Sequence, residues 1–203
     1  MTLEIIGTPN SNFVRTIRMV AEEKGVVYKN TPEMPHSDVI KSLHPLGQVP
    51  VMGHDGFHLF ESMAIARYID NVFDGPALVP TSPKAAAKIV QWISFAQTSV
   101  DQLIMRQYVL EYLFNKDEDG NIVRDNIDKV LNKLSKMFRV LDEAVSSGYF
   151  GNDEFSMADC FLMPIISYGQ LFPEGKEALE SAKNLKAYFD KLSQRPSFIN
   201  TSA

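Results

Sequence analysis

Leu3-Glu4-Ile5-Ile6-Gly7, then Asn10-Ser11-Asn12-Phe13, then Gly25-Val26-Val27-Tyr28 are the pieces whose reading decides the fold. Leu3–Gly7 is a short apolar run ending in glycine, the signature of a buried strand. Asn10, Ser11 and Asn12 are helix-capping residue types. The helical pattern behind them puts Phe13, Ile17, Val20 and Ala21 on one face. Gly25 ends it, as a left-handed cap would, and Val26–Tyr28 reads as a second strand. Strand, helix, strand in so short a span is a βαβ unit, so the two strands are predicted to be parallel.

Outward from this unit the pattern continues as a short helix over Ser37–Leu43. Two apolar runs follow, Pro50–Met52 and Phe57–Leu59, with Asp55-Gly56 between them as a hairpin turn. A helix opening near Glu61 carries Ile65, Ile69, Val72 and Phe73. Gly75 to Pro83 holds three prolines and no periodicity, which marks a linker. Beyond it the signals are helical: one long helix from Lys84 to about Asn115, then Asp125–Val145, Ser156–Leu171 and Ala182–Gln194. The fold class is α+β with two domains. A βαβ-α-ββα domain over residues 1–76 and a linker over 77–83 lead into an all-α bundle over 84–203.

The chain has 203 residues, 45% hydrophobic and 22% charged, an ordinary globular mixture. Its net charge is -5, and the acidic excess is spread over both halves. No basic face is implied, so nucleic acid is not an expected partner. Cys160 is the one cysteine and fits a reducing compartment. No apolar run is long enough for a membrane span, and Met1-Thr2-Leu3-Glu4 does not read as a signal peptide. A cytoplasmic location is expected.

Three short motifs carry chemistry. Gly47-Gln48-Val49-Pro50 precedes a strand. A cis proline there would turn the backbone of Val49 outward, ready to pair with an extended peptide ligand; a plain loop proline is the other reading. Glu61-Ser62 opens a helix, whose N–H groups and positive dipole end favour a carboxylate; a simple capping pair is the alternative. Ser156-Met157-Ala158-Asp159 has the spacing of a capping box and reads as a folding signal.

In this order and spacing the three motifs, the proline linker and Glu22-Glu23-Lys24-Gly25 resemble the glutathione S-transferase family along the whole chain. The resemblance implies a thioredoxin-like first domain and glutathione as co-substrate. It also implies a homodimer in which the glutathione thiolate attacks a small hydrophobic electrophile. In the serine-type classes (phi, theta and bacterial relatives) the donor to the sulfur is a serine four residues after the glycine that ends the first strand. Here that residue is Ser11, followed by Arg15 as in the phi pattern, with Asn12 as its competitor for the role. Carried over residue by residue, Val49 pairs with the cysteinyl unit and Pro50 is cis. Glu61 and Ser62 hold the γ-glutamyl end, and Gln48 reaches the glycyl end. Where phi proteins have a basic pair for the glycyl carboxylate, this chain has Pro35-His36-Ser37, which leaves His36.

Met105, Tyr108 and Tyr112 share one face of the long helix, either as walls of the electrophile site or as core. The resemblance offers Asp101 to a neighbouring subunit's glutathione site. Asn115–Ile122 imitates the start of a calcium loop but lacks the flanking acids, so no metal is expected. Two other readings stay open: a family member kept for protein contacts, and a glutathione-dependent isomerase or dehalogenase.

Overall fold

The computed structural model describes residues 2–202. They form two compact units, residues 2–81 with 194–202, and residues 82–193. Residues 194–202 thus group with the first unit rather than with the helical one.

The first unit holds β1 (Leu3–Ile6), α1 (Asn12–Glu23), β2 (Tyr28–Thr31), α2 (Asp38–Leu43), β3 (Val51–His54), β4 (Phe57–Phe60) and α3 (Ser62–Val72). The sheet order is β2-β1-β3-β4, with β1 and β2 parallel and the other two pairings antiparallel. β2 starts later than the apolar run Val26–Tyr28 predicts. The turn that closes α1 takes the Val26 N–H back to the Ala21 carbonyl at 2.9 Å, with Gly25 at φ 68°. The strand that follows lies at the sheet edge and is half-buried or exposed along its length, so a polar sequence is tolerated there. Asp55 and Gly56 both have positive φ, 52° and 79°, as a tight hairpin turn requires.

Ile6 and Val51, partners across β1 and β3, form a buried cluster with Ile40 of α2. Alternation puts Leu3, Ile5 and Met52 on the opposite face, and α1 and α3 pack on β1 and β3 and on each other. Ile65 and Ile69 are buried as predicted, but Val72 is 49% exposed.

The predicted linker is tied down. Leu78 and Val79 are buried. Lys24, itself buried, donates to the carbonyls of Asp70 at 3.1 Å and Pro76 at 3.1 Å. It lies 3.4 Å from the Asp70 carboxylate, which accepts from the Leu78 N–H at 2.9 Å. Its neighbours in Glu22-Glu23-Lys24 hold the chain end, where α10 (Pro196–Asn200) lies on α1. Glu23 accepts from Arg195 at 2.8 and 2.6 Å and from Ser197, and Glu22 accepts from Asn200 at 3.0 Å.

The helical unit begins with α4 (Pro83–Phe95). It runs on through a π-helical stretch, Ala96–Val109, into α5 (Leu110–Phe114). Then come α6 (Asp125–Ala144), α7 (Met157–Gly169), α8 (Pro173–Ser181) and α9 (Lys183–Leu192). The wide winding explains one contact. Residues five apart diverge on an α-helix but approach on a π-helix, and Arg106 Nε donates to Asp101 at 2.9 Å. The Ser156–Asp159 capping box forms. Asp159 also accepts from the Phe150 N–H at 2.9 Å and from Tyr188 at 3.0 Å. Among the described residues no helix is long and apolar enough to cross a membrane.

The side chains of Lys24 and Asp70 are each only 3% exposed. Lys24→Met leaves that buried carboxylate with the half-exposed Arg67, 3.3 Å away, in place of its buried cation, and takes the donor from the Asp70 and Pro76 carbonyls. Thermal or urea unfolding should show a loss of about 3 kcal/mol or more.

Candidate glutathione site in the first unit

Gly7 ends β1 where two segments converge. A Cβ on Gly7 would lie 2.6 Å from Val14 Cγ2 and 2.9 Å from Val49 Cβ. Only glycine lets the first turn of α1 and the segment before β3 close over the end of β1. Gly7 therefore sets Val49 beside the turn that Ser11 caps. Sequence reasoning used Gly7 only as a strand end; nothing local to it announces its partner forty-two residues on.

Ser11 is the N-cap of α1, half-buried, and its Oγ accepts from the Val14 N–H at 3.4 Å. The bond is long and uses Ser11 as acceptor, so its O–H proton remains to donate elsewhere. Capping and donation are compatible. Asn12 is buried in the first turn, and its carbonyl accepts from Thr16 Oγ1 at 3.0 Å. Arg15 is engaged by the segment around α10. It lies 4.1 Å from the centre of the Phe198 ring and donates to the Phe198 carbonyl at 3.2 Å and to Ser202 at 3.0 Å.

The Val49–Pro50 peptide bond is cis. Pro50 is buried, Val49 half-buried and Gln48 exposed. Among the described residues neither the N–H nor the C=O of Val49 joins a backbone hydrogen bond. Gly47, at φ 66°, has no room for a side chain: a Cβ would meet His36 Nδ1 at 2.8 Å. The His36 N–H donates to the Gly47 carbonyl at 2.7 Å, so His36 borders the same loop, exposed and at φ 65°.

Glu61 stands immediately before α3 with φ 69° and ψ 114°, and it makes no side-chain cap. A non-glycine residue held there costs on the order of 1–3 kcal/mol. The strain falls where an exposed carboxylate and the uncapped end of a helix come together. Ser62, buried, is the first residue of that helix. Ser11, Val49, Glu61 and Ser62 thus all belong to the first unit, and Gln48, Pro50 and His36 lie on or beside the Val49 loop.

The residues expected for the electrophile lie in the helical unit. Met105, Tyr108 and Tyr112 are 4%, 0% and 4% exposed. The two hydroxyls donate to Glu174 Oε2 at 3.1 and 2.7 Å. Tyr108 also accepts from the Gly175 N–H, Tyr112 accepts from Arg124, and its ring stacks on Phe172 at 4.2 Å. These are core positions, the second of the two readings open for them. Asp101 is buried beside Arg106. In the loop that imitates a calcium site, Asp117 accepts from the N–H groups of Asp119 and Asn121.

The glutathione S-transferase N-terminal domain family matches residues 1–71, and the C-terminal domain family matches residues 103–196. The glutathione S-transferase psoE of Aspergillus fumigatus is 30% identical over 184 residues, covering 89% of this chain and 74% of that protein. The stringent starvation protein A homolog of Haemophilus ducreyi is 25% identical over 202 residues, covering 97% and 87%. The crystal structure of glutathione transferase F7 from Populus trichocarpa superposes with a TM-score of 0.88 at 24% identity, covering 98% and 97%, which is a likeness of fold.

Burial alone would raise the Glu174 carboxyl, but hydrogen bonds from Tyr112, Arg124 and Tyr108 hold it down, from an ordinary 4.5 to about 2. A depressed carboxyl stabilises the folded state above its unfolded pKa, and that contribution is lost as pH falls through the folded value. Urea midpoints should therefore drop between pH 4.5 and about pH 2, and Glu174→Gln should flatten that slope.

Proposed function

The chain belongs to the glutathione S-transferase family, and we propose that it is a serine-type glutathione transferase. On this reading the first unit binds glutathione, and the thiolate attacks a small hydrophobic electrophile. A sulfur–carbon bond forms and the electrophile's leaving group departs with the electron pair, or an activated double bond takes up a proton. The observation that carries the reading is the convergence at Gly7. It brings the helix turn that Ser11 caps to the segment of Val49, whose N–H and C=O join no backbone hydrogen bond among the described residues.

A free thiol has a pKa near 8.5, so only a few per cent is ionised at neutral pH. Lowering that value takes a hydrogen-bond donor and a positive dipole end, and Ser11 at the start of α1 offers both. Asn12 is the alternative donor. Val49 pairs its backbone with the cysteinyl unit, with Pro50 behind it. Glu61 takes the γ-glutamyl ammonium, and Ser62 with the α3 N-terminus takes the carboxylate. Gln48 and His36 face the glycyl end. Met105, Tyr108 and Tyr112 serve as the packed core behind the electrophile walls rather than as the walls. The reading needs no metal.

We also propose a cytoplasmic homodimer. Phe57 and Val72, 48% and 49% exposed on β4 and α3, give the first unit an apolar surface beside Tyr68. Sedimentation should return twice the chain mass. The second reading is a family member kept for protein contacts. It expects no glutathione binding at millimolar concentration. A glutathione-dependent isomerase or dehalogenase would share the site and differ in the electrophile.

The deciding experiment titrates glutathione on the protein and follows far-ultraviolet thiolate absorbance against pH. Wild type should ionise the bound thiol well below its free value. Ser11→Ala should raise that pKa by about 1–2 units, the worth of one charge-assisted hydrogen bond. An unchanged pKa in Ser11→Ala would move the donor role to Asn12 or to the backbone.

A further inference from the structure

The segment that presents Val49 begins at His44, the residue that ends α2. His44 is buried, 5% exposed, and no motif of the sequence singled it out. Its ring packs on Phe60 of β4, with centroids 4.7 Å apart. Its Nδ1 accepts a hydrogen bond from the Leu46 N–H at 3.0 Å, and its carbonyl accepts from the Gly47 N–H at 3.0 Å. A ring nitrogen that accepts carries no proton, so the other nitrogen does, and the imidazole is neutral. The loop from Pro45 to Gln48 is wound around that acceptor.

We propose that His44 is a positioning residue of the glutathione site: its neutral ring holds the loop that presents Val49, and protonation of the ring releases the loop and weakens glutathione binding. The inference rests on the glutathione reading given above. A proton on Nδ1 would face the Leu46 N–H donor to donor and would put a charge in a buried place, and each effect opposes the loop as folded. Among the described residues no carboxylate pairs with the His44 ring to compensate that charge. The titratable neighbours are Lys41 on α2 and His36, both lying against Gly47. Lys41 is common to wild type and variant. A charge on His36 would attract the glycyl carboxylate, so any contribution of His36 to binding has the opposite sign. The sign of the pH effect therefore separates the two histidines.

The test measures calorimetric affinity for S-methylglutathione, whose blocked sulfur removes thiol ionisation, from about pH 5 to pH 8. The proteins are wild type and His44→Asn. An asparagine side chain offers an acceptor oxygen to the amide two residues on and does not titrate. At pH 8 the two should bind alike. As pH falls, wild-type affinity relative to His44→Asn should drop by about tenfold, and this ratio cancels the His36 contribution. A ratio constant with pH overturns the proposal. Absence of wild-type binding at pH 8 overturns the glutathione reading and the proposal with it. If His44→Asn does not fold, amide exchange in the unliganded wild type decides. The protection factor of the Leu46 N–H should fall about tenfold across the same range, and a constant factor overturns the proposal.

Discussion

The site depends on a missing side chain. At Gly7 the side chains of Val14, in the first turn of α1, and Val49, before β3, occupy the space that a Cβ would need, 2.6 and 2.9 Å from it. Both segments can close on the end of β1 only where no Cβ intervenes, and that brings the turn capped by Ser11 to the segment of Val49. The rest of the first unit keeps that approach fixed. Ile40, Ile6 and Val51 hold α2 and the sheet together on one face. Gly47 admits the His36 ring to the loop, and the α1–α3 pair closes the other face.

The same unit uses charged groups for anchoring. Glu22, Glu23 and Lys24 at the end of α1 are each engaged: Lys24 with the start of the linker, Glu23 with Arg195, Glu22 with Asn200. A buried ammonium with carbonyls around it is tolerable because its hydrogen-bonding capacity is met. Arg15 serves the chain end in the same way.

Much of this was legible in the residues. The strand, helix and hairpin order follows from local periodicity and from Gly25 and Asp55-Gly56, whose backbone angles are dictated locally. The capping box at Ser156 and Asp159 is likewise a matter of spacing. What could not be read depends on the three-dimensional neighbour. β2 starts late in the apolar run because Val26 is taken up by the turn that closes α1. The short helices α8 and α10 have too few residues for periodicity to show. Val72 matches the apolar face of α3 in spacing, yet it lies at the last turn, past the sheet. Of the candidate site, Ser11, Val49, Glu61 and Ser62 were legible as motif members. The contact of Gly7 with Val49, the acceptor role of His44 and the strain at Glu61 needed coordinates.

The grouping of residues 194–202 with the first unit has a consequence for synthesis on the ribosome. The first eighty residues emerge early and contain every strand of the sheet. Yet Arg15 and Glu23 on α1 lack their partners until residues 194–202 have cleared the exit tunnel. The unit whose strands are translated first is thus completed after the helical one. A premature stop at residue 194 would leave the helical unit whole and strip α1, the helix capped by Ser11, of its partner.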